Sequence, residues 1–305
     1  MGIAFISHPH CELHDTGAGH PESPARIRAV LDYLPTRDIW HRLMQYEAPL
    51  ASREQLYRVH DRDYVDAVIA AEPGQGRVYL DPDTSMAPHS LNAALRAAGS
   101  VVKGVDLVMS GDVKRAFCCV RPCGHHAEIA RAMGFCLFNN VAVGARYALD
   151  RYGLSRVAIV DFDVHHGNGT EDIFRNDAAV FFSSTFQHPF YPGSGADTRS
   201  DHIVNVPLPA GTRGEEFRAA FEERILPALN SFEPELLFIS AGFDAHDDDP
   251  LAQLCLLEED FAWATGKIRA VADEHARGRL VSVLEGGYSL PALARSVEAH
   301  LEAML

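Results

Sequence analysis

Apolar positions along the chain fall into two rhythms. Short β-branched or apolar runs predict strands at 3–7, 115–120, 157–161, 179–183, 203–206, 236–240 and 280–284. Between them, apolar residues recur every three or four positions and predict helices over 24–33, 63–71, 90–109, 140–152, 214–230, 258–275 and 291–303. Ser289 stands where an N-cap would open the last helix, with Pro291 in its first turn. Strands alternating with helices specify an α/β fold, a mainly parallel sheet of about eight strands with helices on both faces. Ligands of such sheets bind in the crevice beyond the carboxyl ends of the strands, so functional residues should follow strands. No repeat, low-complexity tract or Pro/Gly/Ser-rich linker divides the pattern, and residues 1–305 are expected to form a single domain.

Composition narrows the function. With 47% apolar and 23% charged residues, the chain can bury a large core and is not disordered. Its 27 basic residues stand against 42 acidic ones, a net charge of −15 that repels a phosphate backbone, so nucleic acid is not an expected partner. No apolar run approaches the roughly 18 residues needed to cross a bilayer, and the first residues lack the basic and apolar regions of a signal peptide. A cytoplasmic protein with no membrane partner is expected. Cys11, Cys118, Cys119, Cys123, Cys136 and Cys255 form no C-x-x-C pair, which argues for reduced thiols rather than a disulfide frame or zinc ribbon. Cys118, Cys119 and Cys255 are read as core or near-core thiols.

The candidate chemistry follows four strands. After the strand ending at Val160 comes Asp161-Phe162-Asp163-Val164-His165-His166-Gly167-Asn168-Gly169. Alternation in an extended segment puts Asp161, Asp163 and His165 on one side, so that Asp163 and His165 can approach one ion. A second carboxylate, Asp244, follows the strand at 236–240. Two carboxylates and one imidazole make an open three-ligand set that leaves a position for water on Zn²⁺. Arg121-Pro122-Cys123-Gly124-His125-His126-Ala127 presents adjacent imidazoles suited to proton transfer near neutral pH. Glu285-Gly286-Gly287-Tyr288 follows the last strand, where glycines allow close backbone approach and the phenol can donate to a developing oxyanion. Taken singly, Glu285-Gly286-Gly287-Tyr288 is a common turn; the weight lies in four strand ends converging.

Together these segments resemble the histone deacetylase superfamily, which includes acetylpolyamine amidohydrolases, and the match runs in family order from His20-Pro21-Glu22-Ser23-Pro24-Ala25-Arg26 to Gly287-Tyr288. The two histidine motifs look like those of class II deacetylases and their bacterial homologues. The resemblance implies a deacetylase-type fold of the arginase kind and hydrolysis of the acyl amide of Nε-acetyl-lysine. It implies one catalytic zinc on Asp163, His165 and Asp244, His126 as general base and then acid, and His125, held by Asp161, as an electrostatic partner. Asn168 would orient His126, and Tyr288 would polarise the carbonyl. Gly134 and Phe135 would line the acyl-lysine tunnel opposite Tyr191, with Leu251, Gly286 and Gly287 also at the substrate. Arg26 would sit at an internal acetate pocket. A structural potassium ion would lie on Asp161, Asp163, His165, Ser184 and Thr185.

Departures from the pattern carry information. Asn168 stands where class I has aspartate, and a neutral orienter raises the pKa of His126 less than a carboxylate would. Cys123 replaces the more frequent proline and sets an oxidisable thiol near the mouth. Asp249-Pro250-Leu251 carries leucine where polyamine-selective relatives carry glutamate, which favours acetyl-lysine over acetylpolyamine as substrate. An arginase-type ureohydrolase would need a second strand end of the form Asp-x-Asp-x-x-Asp-Pro, and none occurs. A module that reads acyl-lysine without cleaving it would lack Tyr288, His126 or a ligand. His246 and the acidic run 247–249 are read as solvated loop surface, and His8, His10, Cys11 and His14 as structural. The oligomeric state stays open, a homo-oligomer included.

Overall fold

The computed structural model describes residues 2–305; Met1 lies outside the described residues. Among the described residues ten strands form, labelled in chain order β1 Ile3–Ser7, β2 Leu43–Glu47, β3 Val78–Asp81, β4 Thr84–Met86, β5 Arg115–Cys118, β6 Val157–Asp161, β7 Val180–Gln187, β8 Ile203–Leu208, β9 Leu236–Ala241 and β10 Leu280–Leu284. Eight of them make one sheet in the order β2-β1-β5-β10-β9-β6-β7-β8, every neighbouring pair parallel. β3 and β4 pair separately as a short antiparallel hairpin.

Both faces of the sheet are covered, and the register shows how. Ala116 and Val281 are partners on β5 and β10, and both approach Gly104 in the helix Ser90–Ser110. One step along, Phe117 and Ser282 are partners and both contact His300 in the helix Leu290–Met304 on the opposite face. Strands sandwiched in this way are apolar on both sides, and β6 and β9 are buried along their whole length. The expected α/β sheet of about eight strands is therefore observed.

Helices at Pro24–Tyr33, Asn140–Tyr152 and Glu258–His275 have the expected bounds. The stretch expected as one helix at 214–230 instead runs Gly214–Ala220, a π-helical turn Phe221–Ile225 and Leu226–Phe232. Pro227 has no N–H to continue the ladder, and the wider turn before it absorbs the missing bond. Sequence periodicity missed β2, whose residues are mostly exposed along the sheet edge, and the β3–β4 hairpin. It also missed the helix Asn168–Phe174, which starts inside the histidine motif. Ser289 occupies the N-cap position, but its side chain makes no cap; its N–H goes to Asp249 instead.

Candidate active site

The carboxyl ends of β5, β6, β9 and β10 are neighbours at the centre of the sheet, and the four polar segments leave from them. β6 ends on Asp161, whose Oδ1 accepts the N–H of Asp163 at 3.0 Å, so the chain curls back on itself. Asp163 then takes the His165 N–H on Oδ1 at 2.9 Å and the Gly286 N–H on Oδ2 at 2.8 Å. Asp244, past the end of β9, accepts from Val164 on Oδ1 at 3.0 Å. This approach needs glycine: a Cβ on Gly286 would lie 2.1 Å from Asp244 Oδ2, and one on Gly242 would lie 2.0 Å from Asp163 Oδ2.

Asp163, His165 and Asp244 bring one ligand atom each within 4.8 Å of one another. His165 Nδ1 lies 3.1 Å from Asp163 Oδ1 and 3.2 Å from Asp244 Oδ2. The second contact is not aligned as a hydrogen bond, so Asp244 Oδ2 is buried without a partner. Burial disfavours a charged His165, but Asp163 and Asp244 outweigh it and raise its pKa to about 10. Two buried carboxylates around one imidazole call for positive charge, and an orphaned oxygen pointing at the same centre fits a metal cation with nitrogen and oxygen ligands.

The two adjacent imidazoles differ in partner and charge. His125 Nδ1 donates to Asp161 Oδ2 at 2.9 Å. Burial opposes its charging, yet Asp161 and Asp163 hold its pKa well above the usual value. His126 Nδ1 lies 2.7 Å from Asn168 Oδ1. The Asn168 amide nitrogen donates to Glu128 Oε1 at 2.8 Å, which leaves its oxygen to accept, so His126 carries its proton on Nδ1 and keeps Nε2 free. Burial, with His125 and His165 alongside, keeps His126 well below the usual range and therefore neutral.

A narrow cavity of about 110 Å³ leads to these groups, lined by His125, His126 and His165, by Gly134, Phe135, Tyr191 and Leu251, and by Gly286, Tyr288, Asp83 and Cys123. Phe135 and Tyr191 form apolar walls, and the Tyr191 ring stands 5.2 Å from that of His126. Gly134 and Phe135 both have positive φ, 56° and 67°. Asp83 and Thr84 hold this strained turn by accepting the N–H groups of Gly134 and Phe135, each at 3.0 Å. Gly287 does not line the cavity; its carbonyl accepts from Arg26 Nε at 2.6 Å. Arg26 is fully buried, reaches the Glu285 carbonyl as well, and lies 5.0 Å from the Tyr288 ring centroid. Ser184 is buried beside Asp161 as its register partner on β7, with Thr185 next to it.

Several groups escaped the sequence reading. Asp249, expected on the solvated surface, is buried and anchors the tyrosine loop: its Oδ2 accepts the N–H groups of Tyr288 at 2.7 Å and Ser289 at 3.2 Å. His246 is buried too, stacked on Phe261, whereas Asp247 and Asp248 are exposed as expected. An Asp-Pro turn looks the same in sequence whether its carboxylate faces water or backbone N–H groups. Asp83 had no signal, because its hairpin was not legible. Glu285 has a role that its motif does not signal: its Oε2 accepts the N–H groups of Gly124 at 2.7 Å and His125 at 3.1 Å, tying two site loops together. His14 is buried against Ser90 and Glu22, in line with a structural role.

The chain matches the Histone deacetylase domain over residues 20–304. It is 39% identical to the histone deacetylase-like amidohydrolase of Pseudomonas aeruginosa, covering 89% of this chain and 73% of that protein. With the mouse polyamine deacetylase HDAC10 it shares 37% identity over 100% of this chain and 48% of that protein. Among solved structures, the HDA15 HD domain superposes with a TM-score of 0.93 at 34% identity, covering 99% of this chain and 88% of that one.

Proposed function

The chain belongs to the histone deacetylase family and is a hydrolase acting on amides, and from that premise we propose that it is a zinc-dependent deacetylase of Nε-acetyl-lysine. Its substrates would be acetylated proteins, peptides or small acyl-lysines, and its products acetate and the free amine. The observation that carries this reading is one narrow cavity lined by a neutral His126, by His165 with two carboxylates behind it, and by Tyr288.

Asp163, His165 and Asp244 would hold the zinc ion. Bound there, zinc supplies a Lewis acid for the amide carbonyl and lowers the pKa of a water. His126, with Nε2 free, takes the proton of the attacking water and returns it to the leaving amine nitrogen. His125, charged by its contact with Asp161, supplies positive charge beside the reacting atoms without exchanging protons. The Tyr288 hydroxyl donates to the carbonyl oxygen as negative charge builds on it. Phe135 and Tyr191 hold the aliphatic stem and keep bulk water out. Arg26 lies beneath Tyr288 as the anchor for released acetate. A structural potassium ion beside Asp161, Ser184 and Thr185 would offset the buried carboxylate charge. In this reading residues 1–305 act as one catalytic domain in the cytoplasm, alone or as a homo-oligomer. No described helix is long and apolar enough to cross a membrane.

An acetylpolyamine amidohydrolase is the second reading, favoured by the relative named for that activity and by the net charge of −15. Leu251 at the cavity argues against it, because leucine cannot pair with a second ammonium. A panel of acetyl-lysine peptides, acetylspermidine and acetylputrescine, assayed with zinc-loaded protein and a hydroxamate control, decides between them. Faster hydroxamate-sensitive turnover of the peptides is expected. Preference for the polyamines at high salt, where general attraction fades, would replace the first reading with the second.

A further inference from the structure

Cys123 and Cys136 form a second chemical cluster in the same wall, which neither the metal ligands nor the histidine pair uses. Their sulfurs are 3.4 Å apart. Both sit against the Gly134 carbonyl, Cys136 at 3.2 Å and Cys123 at 3.8 Å, packed with Ala127 and Phe135. A carboxylate oxygen of Glu285 lies within 4.8 Å of both sulfurs. Cys136 is fully buried, but Cys123 lines the cavity, so a small solute in the channel reaches it. Among the described residues no other two thiols are in hydrogen-bonding contact.

We propose that Cys123 and Cys136 are an oxidisable dithiol, a modification site that hydrogen peroxide converts into an intramolecular disulfide. The Cys123 sulfur attacks one peroxide oxygen; an S–O bond forms, the O–O bond breaks, and the departing hydroxide leaves as water with the thiol proton. Cys136 then attacks the Cys123 sulfur; the S–S bond forms, the S–O bond breaks, and a second water leaves with the Cys136 proton. The two thiols lose two electrons and the peroxide gains them. Glu285 is placed to relay the proton of Cys136.

The bond draws the sulfurs together by about 1.4 Å, since a disulfide is about 2.05 Å long. That motion links the segment entering the histidine pair to the Gly134–Phe135 wall. There is no slack between them: a Cβ on Gly134 would already stand 2.3 Å from His126 Cδ2. The disulfide therefore displaces His126 or Phe135, and hydrolysis falls. This consequence, unlike the bond itself, rests on the amidohydrolase reading.

The test treats the full chain carrying Cys255→Ser, which removes the partly exposed thiol, with hydrogen peroxide and maps peptides by mass without reduction. A Cys123–Cys136 cross-link reversed by dithiothreitol is expected, with acetyl-lysine hydrolysis lower by up to about 10²-fold, the scale of an ångström-sized misplacement, and restored on reduction. Cys123→Ser and Cys136→Ser should each form no cross-link and keep a larger fraction of their own untreated activity. Both thiols staying free, or Cys123 passing to sulfinic acid without a cross-link, would overturn the proposal. A second equivalent of zinc, lost in Cys123→Ser, would overturn it as well by making the pair a metal site. A cross-link in a chain that hydrolyses neither substrate class supports the dithiol and sinks the activity instead.

Discussion

Two buried charge clusters lie side by side in this protein, and they are built on opposite terms. Around Glu22 both carboxylate oxygens are answered by guanidinium donors. Its Oε1 accepts from Arg26 at 3.1 Å and Arg121 at 2.6 Å, its Oε2 accepts from Arg121 at 2.6 Å, and the spare Arg121 donors reach the carbonyls of Cys11 and His14 at 2.9 Å. Around Asp163 and Asp244 the carboxylates have one shared imidazole and one oxygen with no partner. A satisfied buried network fixes a structure, whereas an unsatisfied one holds free energy in reserve for a ligand that completes it. Both clusters are buried and pair carboxylates with basic side chains; whether every carboxylate oxygen has a donor separates framework from site.

The comparison breaks most sharply at the metal cluster. Asp163→Ala and Asp244→Ala should each abolish measurable turnover and lower bound zinc from one equivalent per chain, read by elemental analysis. Full activity in either variant would refute the ligand assignment. At the histidine pair, His126→Ala should lose about 10² to 10⁴-fold in kcat, the range for a lost general acid–base, and His125→Ala distinctly less, because only His126 keeps a free neutral nitrogen. Equal residual rates would mean that proton transfer is shared.

The Glu22 cluster predicts a stability effect instead. Burial pushes the Glu22 carboxyl up, but Arg121 and Arg26 outweigh it and hold its pKa at about 2, against 4.5 in a free side chain. A depressed carboxyl contributes stability that is present above about pH 4.5 and disappears as pH falls to 2, an acid-dependent loss of about 3 kcal/mol. Glu22→Gln leaves both guanidiniums without their counter-charge and should lower stability at pH 7 by about 3 to 5 kcal/mol in urea unfolding, while flattening that acid dependence. An unchanged midpoint would show the network to be dispensable.

Tyr288→Phe should reduce kcat by about 10²-fold with little change in KM, the scale of one lost oxyanion donor. The smallest effect is expected at the mouth. Leu251→Glu should raise relative activity on acetylspermidine by up to about fivefold, since an exposed ion pair contributes at most about 1 kcal/mol. If the shift vanishes at high salt, general attraction rather than fit explains it.

Much of this was legible in the sequence because strands in a doubly covered sheet are marked by continuous apolar runs and their polar ends by abrupt changes of character. β1, β6 and β10 have the expected bounds, and Asp161, Asp163, His165, Asp244, His125, His126 and Tyr288 stand at four adjacent strand ends. Edge strand β2 and the β3–β4 hairpin were not legible, since β2 and β3 are mostly exposed or half-buried without alternation and β4 is only three residues long. Asp83 was lost with the hairpin. The Asp-rich context of Asp249 is that of a solvated surface turn, and only the folded chain brings the Tyr288 N–H to it.

Local pattern thus determined the fold class, the strand ends and the residue types of the site, because hydrophobic periodicity and turn chemistry act over a few residues. Tertiary structure decided the rest through contacts between positions far apart in the chain. It set which imidazole is neutral, by burying His126 beside His125 and His165 while placing Asp161 and Asp163 against His125. It also set two sulfurs thirteen residues apart in contact beside Glu285. Protonation and partner depend on burial and distance, and no spacing in a sequence specifies either.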